Sequence, residues 1–186
     1  MSGGIGPAVE EARGLVIVFT GSGKGKTTAA LGIALRACGH ALRTLVIQFI
    51  KGPWLAGELE AAKRLAPNLE IIATGKGFVG IRGDDRPFSE HQKAAQEALA
   101  LARDKAGTGA YDILVLDEID NALRLGLVSL EDVLAFLRFR PAAMHVILTG
   151  RDAPPELVAA ADLVTEMLDV KHPFNEGQVA RRGIDF

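Results

Sequence analysis

The sequence predicts an α/β fold, with a mostly parallel six-stranded sheet and helices on both faces. Short apolar runs alternate along the chain with longer stretches of helical character, as in parallel strands joined by crossover helices. The first run is wholly apolar and rich in β-branched residues, which indicates a strand covered on both faces. The length of 186 residues fits one domain. We therefore expect a flexible lead over residues 1–13 and a single domain over residues 14–186.

Each element follows from a local pattern. Strands are predicted at residues 15–19, 44–50, 69–73, 112–116, 145–149 and 163–168, and helices at residues 26–38, 58–65, 89–106, 129–139 and after Pro154-Pro155. Gly39 is expected to end the first helix, and Ser89 and Ser129 to cap two others. Residues 74–88 contain four glycines and one proline, which predicts a long loop of the kind that often carries function.

Composition excludes several classes of protein. The net charge of -2 argues against a nucleic-acid binder that works by bulk charge. The single cysteine, Cys38, excludes a disulfide within one chain, and the four histidines lack metal-ligand spacing. No apolar run reaches about 18 residues and no secretion signal is recognisable. We expect a cytoplasmic protein with no membrane segment.

A glycine-rich loop, TGSGKGKTT at residues 20–28, connects the first predicted strand to the first helix. The usual phosphate loop is GxxxxGK[ST]; here the first glycine is one position late, so the loop is one residue short. Glycines let backbone amides approach phosphates, and a helix N-terminus favours negative charge. Lys26 would set its ammonium against the phosphates. The predicted nucleotide-binding residues are Gly21, Ser22, Gly23, Lys24, Gly25, Lys26, Thr27 and Thr28.

Two carboxylates follow the fourth apolar run, at Asp117 and Glu118. Ligands of open parallel sheets bind at the carboxyl ends of the strands, and oxygen ligands suit Mg²⁺. Together with the Thr27 hydroxyl, these residues predict a site for ATP and Mg²⁺. They leave the reaction open, because Glu118 could orient water and Arg151 could complete a hydrolytic site. An ATPase, a kinase-like enzyme acting at the γ-phosphate and a nucleotide-dependent binding protein all remain alternatives.

Longer segments carry a resemblance to a known family. The loop with its flanks, VFTGSGKGKTTAA at residues 18–30, resembles the phosphate-loop ATP:corrinoid (cobalamin) adenosyltransferases. The similarity continues in RACGH (36–40), QFIKGPWLAGE (48–58), LDE (116–118), TGR (149–151), VKHPF (170–174) and ARRGIDF (180–186). Phosphate loops are common, but this set of segments in this order is specific.

The resemblance implies a RecA-like P-loop NTPase fold and transfer of the 5′-deoxyadenosyl group from ATP to Co(I) of a corrinoid. The corrinoid would be cobalamin or cobyrinic acid a,c-diamide, and triphosphate would be released, in adenosylcobalamin biosynthesis or salvage. By resemblance, Lys26 and Glu118 are catalytic, Thr27 and Glu118 meet Mg²⁺ (or Mn²⁺), and Arg36 reaches the nucleotide. A homodimer and a reductase or flavodoxin-type electron donor are also implied. ATP would be held in the reverse sense to ordinary phosphate-loop enzymes, and we hypothesise that the short loop accompanies this reversal.

The corrinoid side departs from the family pattern. Phe78 matches a family phenylalanine that lies close to the corrinoid, so the resemblance implies a catalytic role in displacing the lower axial ligand. The best-known pattern continues Phe-Thr-Trp, whereas this chain has Phe78-Val79-Gly80. The tryptophan is missing and the N-terminal lead is short. These departures leave the predicted ATP site intact.

Overall fold

A computed structural model describes residues 13–52, 56–77, 79 and 85–185. The predicted α/β class is confirmed. The strands are β1 Val16–Thr20, β2 Thr44–Gln48, β3 Leu69–Ala73, β4 Ile113–Asp117, β5 His145–Thr149 and β6 Leu163–Glu166. The helices are α1 Lys26–Cys38, α2 Gly57–Leu65, α3 Phe88–Gly107, α4 Ile119–Arg124, α5 Leu130–Phe139 and α6 Pro155–Ala160, followed by a 3-10 turn at Pro173–Glu176.

The six strands form one sheet in the order β3-β2-β4-β5-β1-β6. Every pairing is parallel, with Val18 opposite Leu148 in β5 and Val164 in β6. Parallel strands end on the same edge, so the loops that follow β1, β2, β4 and β5 all open at one edge of the sheet. That edge is where open α/β sheets bind ligands.

Helices cover both faces of the sheet, as predicted. Because side chains alternate along a strand, Val16 and Val18 pack with α3 to α6, whereas Ile17 and Phe19 pack with α1 and α2. Helix α1 lies against the sheet through Ala30, Ala34 and Ala37, at the helical spacing. It therefore holds its first residue, Lys26, at the end of β1. No helix in the described ranges has the length and apolar character needed to cross a bilayer.

Several local expectations need correction. Strand β2 ends at Gln48 rather than residue 50, and α4 was not predicted because six residues are too few for a helical period to stand out. Ser129 caps α5 by accepting a hydrogen bond from the Asp132 amide, but Ser89 does not cap α3. Helix α3 begins one residue earlier, at Phe88, because Pro87 takes the N-cap position with an extended ψ of 140° and Ser89 lies within the first turn.

Helix α1 ends at Cys38 as predicted, but Gly39 keeps a right-handed φ of -63°, and Ala41 takes the positive φ of 58° instead. The lead over residues 1–13 stays a prediction, since only residue 13 of it lies within the described ranges.

Candidate active site

A cavity of about 770 Å³ opens at the carboxyl ends of the central strands. The phosphate loop forms its floor, and the ends of β4 and β5 form one wall. The opposite wall comes from the C-terminal segment, by which we mean residues 167–185. The lining includes Ser22 to Thr28, Lys51, Glu58, Asp117, Glu118, Asn121, Thr149, Arg151, Asp169, His172, Asn175 and Gly183 to Asp185.

The ammonium of Lys26 is held inside the phosphate loop. It donates to the carbonyl oxygens of Gly21 and Gly23, each at 2.7 Å. Burial lowers the pKa of Lys26, and the neighbouring charge of Arg151 lowers it further, against the carboxylates of Glu118 and Asp120. A bound polyphosphate would supply the negative charge that these carbonyl dipoles now supply only in part.

The back of the phosphate loop packs on the C-terminal segment. The Gly23 amide donates to the Met167 carbonyl at 2.7 Å, so this amide points away from the cavity. A Cβ at Gly21 would lie 2.4 Å from the Met167 oxygen, and one at Gly23 would lie 2.5 Å from the Leu168 oxygen. These two glycines are therefore required by close backbone packing behind the loop.

Asp117 is the centre of a buried hydrogen-bond network. Its Oδ1 accepts from the hydroxyl of Thr27 at 2.8 Å and from that of Thr149 at 2.7 Å. Its Oδ2 accepts from Gln48 Nε2 at 3.2 Å. Burial raises the pKa of Asp117, and the three donors oppose that rise by stabilising the charged form. The carboxylate thus ties β4 to α1, β2 and β5.

Glu118 turns into the cavity through an unusual backbone conformation. Its φ is 63°, in the left-handed region that residues other than glycine rarely adopt. Its amide donates to Thr149 Oγ1 at 2.9 Å, and its carboxylate accepts from Asn121 Nδ2 at 3.3 Å. Burial raises the pKa of Glu118, and the adjacent Asp117 charge raises it further. Asn121 also accepts a hydrogen bond from the Arg151 amide at 2.9 Å. One amide side chain therefore contacts both Glu118, which follows β4 closely, and Arg151, which follows β5.

Asp120 lies in the first turn of helix α4, two residues after Glu118. It is fully buried, and neither of its carboxylate oxygens has a hydrogen-bond partner among the described residues. Burial raises its pKa to about 7, against the nearby Lys26 charge. A Cβ at Gly150 would lie 2.6 Å from the Asp120 Cβ, so only glycine fits above it.

A second polar chain leads from Asp117 to the cavity rim. Gln48 donates to Asp117 and, at 3.5 Å, to Glu58 Oε1. The ammonium of Lys51 pairs with the same Glu58 oxygen. Hydrogen bonding from Lys51 and Gln48 lowers the pKa of Glu58 despite its burial. The segment QFIKGPWLAGE therefore contributes both to the buried network and to the rim.

Most of the predicted nucleotide residues come together in this cavity. Ser22 to Thr28 and Glu118 line it, whereas Gly21 lies behind the loop. Arg36 is exposed near the end of α1 and is not among the lining residues; ten residues of helix separate it from Lys26 by about 15 Å. Phe78 lies outside the described residues, so its role stays a prediction. Sequence reasoning assigned no role to several lining residues. Three of them, Lys51, Glu58 and Asp185, lie in segments that carry the family resemblance, whereas no local motif marks Asn121, Asp169 and Asn175.

The predicted Mg²⁺ fits the oxygen atoms at this edge. The Thr27 hydroxyl lies beside the Asp117 carboxylate, and Glu118 offers a carboxylate to the cavity. Hydroxyl, carboxylate and phosphate oxygens are the ligands that Mg²⁺ prefers. Within the described ranges, no three His, Cys, Asp or Glu residues form a metal-binding group of their own. A cation here would therefore depend on phosphate oxygens, as Mg²⁺ in nucleotide sites commonly does.

Comparisons with known proteins agree with this geometry. A model of the family described as ATP:corrinoid adenosyltransferase BtuR/CobO/CobP matches residues 12–186. A corrinoid adenosyltransferase of Pseudomonas aeruginosa is 39% identical over 94% of this chain and 84% of its own length. One from Escherichia coli K12 is 37% identical over 95% of this chain and 88% of its own. The flagellar accessory protein FlaH of Methanocaldococcus jannaschii shares the fold, with a TM-score of 0.57 and 13% identity, over 83% of this chain and 71% of its own.

Proposed function

Because the chain belongs to the ATP:corrinoid adenosyltransferase family, we propose that it transfers the 5′-deoxyadenosyl group of ATP to Co(I) of a corrinoid. One observation carries this proposal: a phosphate loop and a buried acidic strand end face a single cavity, in a chain that matches the family over residues 12–186. Residues 14–186 would act as one domain. Its cavity would hold the triphosphate of ATP beside the corrinoid.

In the proposed reaction, the reduced cobalt of the substrate attacks C5′ of ATP. The C5′–O5′ bond breaks, its electron pair leaves with the triphosphate, and a cobalt–carbon bond forms. The nucleophile belongs to the substrate, so no general base is needed. The protein must align C5′ with cobalt and stabilise the charge on the leaving triphosphate.

The phosphate loop is suited to the leaving group. Lys26 would exchange the carbonyl oxygens of Gly21 and Gly23 for phosphate oxygens, and the N-terminus of α1 adds a partial positive charge. Since the Gly23 amide is already bonded to Met167, this loop offers fewer amides to phosphate than its sequence suggests. The hypothesis that the short loop accompanies ATP binding in the reverse sense stays a prediction.

Thr27 and Glu118 are the residues that would hold Mg²⁺ or Mn²⁺. Such a cation would neutralise part of the triphosphate charge when it is bound. Asp117 acts as a positioning residue. It holds the Thr27 hydroxyl directly, and it holds the Thr149 hydroxyl, which in turn accepts from the Glu118 amide. Asn121 holds the Glu118 carboxylate toward the same place.

The remaining assignments rest on the family resemblance and, for the cytoplasmic location, on sequence composition. Phe78 is proposed to contact the corrinoid, and Arg36 to contact the nucleotide once the bound state is formed. A homodimer, a reductase or flavodoxin-type electron donor and a cytoplasmic location complete the proposal, in adenosylcobalamin biosynthesis or salvage.

The test is incubation of the protein with ATP, Mg²⁺ and chemically reduced cobalamin. We expect loss of the Co(I) spectrum, a light-sensitive cobalt–carbon product and one triphosphate per product. Lys26→Ala serves as the negative control. ADP and phosphate in place of triphosphate would select the ATPase or kinase-like alternative, and tight ATP binding without turnover would select a binding protein.

A further inference from the structure

The C-terminal segment is attached to the phosphate loop at two places of different character. The first attachment uses uncharged groups: the Gly23 amide donates to the Met167 carbonyl, and the Asp169 amide donates to the Ser22 hydroxyl oxygen at 3.4 Å. The second is ionic, with Lys24 Nζ 2.7 Å from Asp185 Oδ1. The two attachments lie 16 residues apart along this segment, so the second can open while the first persists.

The carboxylate of Asp185 is held in position before it meets Lys24. Its Oδ2 accepts from the Arg181 amide at 2.7 Å. The amides of Ile184 and Asp185 both donate to the Arg181 carbonyl, at 3.1 and 2.8 Å, and Gly183 supplies the positive φ of 79° that this turn needs. The turn over residues 181–185 thus presents a fixed anion to a cation of the phosphate loop. Hydrogen bonds from Lys24 and from the Arg181 amide lower the pKa of Asp185 below its usual value.

Lys24 and Asp185 both line the cavity that would hold the triphosphate. A triphosphate carries several negative charges, so it attracts Lys24 more strongly than one carboxylate does and repels Asp185. The side chains are only partly covered, with 40% of Lys24 and 23% of Asp185 exposed. The pair can therefore separate without leaving a fully buried charge.

We propose that Asp185 competes with triphosphate for the Lys24 ammonium, so that it weakens the hold of the site on the triphosphate and favours its release. When triphosphate binds, Lys24 turns to the phosphate oxygens and the turn over residues 181–185 loses its ionic attachment. When triphosphate leaves, the ion pair between Lys24 and Asp185 forms again. This inference rests on the proposed function, because it concerns the product of that reaction.

The experiment measures binding of inorganic tripolyphosphate with Mg²⁺ to the intact protein by calorimetry. Asp185→Asn removes the competing charge, and we expect tripolyphosphate to bind about twofold to fivefold more tightly, the range that a partly exposed ion pair supports. The gain should shrink in high salt, where charges at the surface are screened. Asp185→Glu keeps the charge and should bind as the unaltered chain does.

Lys24→Met provides the decisive background. If Asp185 acts through Lys24, then Asp185→Asn should tighten tripolyphosphate binding much less once Lys24 is methionine, because only the direct repulsion between Asp185 and the phosphates is then relieved. The matched control is Glu176→Gln, which neutralises a carboxylate of the same segment that pairs with exposed Lys171 at 3.8 Å; it should leave binding unchanged.

Weaker or unchanged binding in Asp185→Asn would overturn this inference but not the proposed function. A gain of equal size in the Lys24→Met background, or one that Glu176→Gln reproduces, would also overturn it. Failure of the unaltered chain to bind both ATP and tripolyphosphate would overturn the inference and the proposed function together. Thermal melting of each variant separates these results from loss of folding.

Discussion

The two walls of the cavity are held in different ways. We call the wall formed by the ends of β4 and β5 the β4 wall, and the one formed by residues 167–185 the C-terminal wall. At the β4 wall, Asp117 is 2% exposed and accepts hydrogen bonds from Thr27, Gln48 and Thr149, on three different elements. At the opposite wall, the residues of the C-terminal segment that line the cavity are largely exposed. Asp169 is bonded there by Asn175 within the same segment.

This difference matches what each wall must do. A preorganised polar network stabilises developing charge because it does not need to rearrange during the reaction. A wall with few buried contacts opens at low free-energy cost. We infer that the β4 wall fixes the metal and phosphate geometry, whereas the C-terminal wall adjusts to substrate entry and product release.

The strongest way to break this comparison is to remove one carboxylate from each wall. Asp117→Ala leaves three donors without their acceptor, of which Gln48 and Thr149 are buried and Thr27 is half-buried, and we expect a loss of about 3 kcal/mol or more in the free energy of unfolding. Asp169→Ala should change it by less than about 0.5 kcal/mol, because the residue is exposed. Urea denaturation of both variants measures this, and equal losses would contradict the distinction between the walls.

The buried electrostatics of the β4 wall predict a pH effect. Because the pKa of Asp120 is about 7 when folded against a usual 3.8, the folded chain keeps a proton that the unfolded chain releases. The stability attributable to Asp120 therefore falls as pH rises from about 4 to 7. When the pH is raised from 5 to 8, the free energy of unfolding of the unaltered chain should fall by about 2–3 kcal/mol more than that of Asp120→Asn.

The control for this pH effect is Asp104→Asn, at an exposed position on α3. Denaturant titrations at the two pH values should give the same pH dependence for that variant as for the unaltered chain. An identical pH dependence in Asp120→Asn would show that Asp120 titrates normally in the folded state.

Lys26 lies in the phosphate loop, between the two walls, and its removal tests the phosphate site itself. Lys26→Ala removes a charged donor to phosphate, and we expect ATP binding to weaken by about 1.5–3 kcal/mol. Lys93→Ala, whose ammonium lies 3.8 Å from Glu97 on the surface of α3, should not change ATP binding. Calorimetric titration with ATP and Mg²⁺ tests both, and unchanged ATP affinity in Lys26→Ala would count against the phosphate site.

The smallest expected effect concerns the backbone attachment of the C-terminal wall. Gly23→Ala would set a Cβ 2.5 Å from the Leu168 oxygen and should cost about 1–3 kcal/mol of stability, the usual range for overpacking. Gly32→Ala, in α1 with nothing within 4 Å of its Cβ, should stabilise the protein by about 0.5–1 kcal/mol. Thermal denaturation compares the two; a neutral Gly23→Ala would mean that the C-terminal wall yields without cost.

Local patterns account for much of the fold. Strands β1, β3 and β5 were predicted within one residue of their bounds because their apolar runs are short and sharply ended. Helix α1 was predicted at both ends, since the phosphate loop and Gly39 mark them. Helix α4 has no clear sequence pattern because six residues are too few for a helical period to stand out and because its N-cap, Glu118, takes a left-handed conformation that residues other than glycine rarely adopt.

The sequence by itself determined the α/β class, the phosphate loop and the acidic end of β4, because each is set by neighbours along the chain. The tertiary structure decided which side chains meet them. Thr149 lies 32 residues from Asp117, and Asp185 reaches Lys24 from the far end of the chain. Strand order brings these groups together, and strand order depends on how the whole sheet buries its two faces rather than on any local spacing.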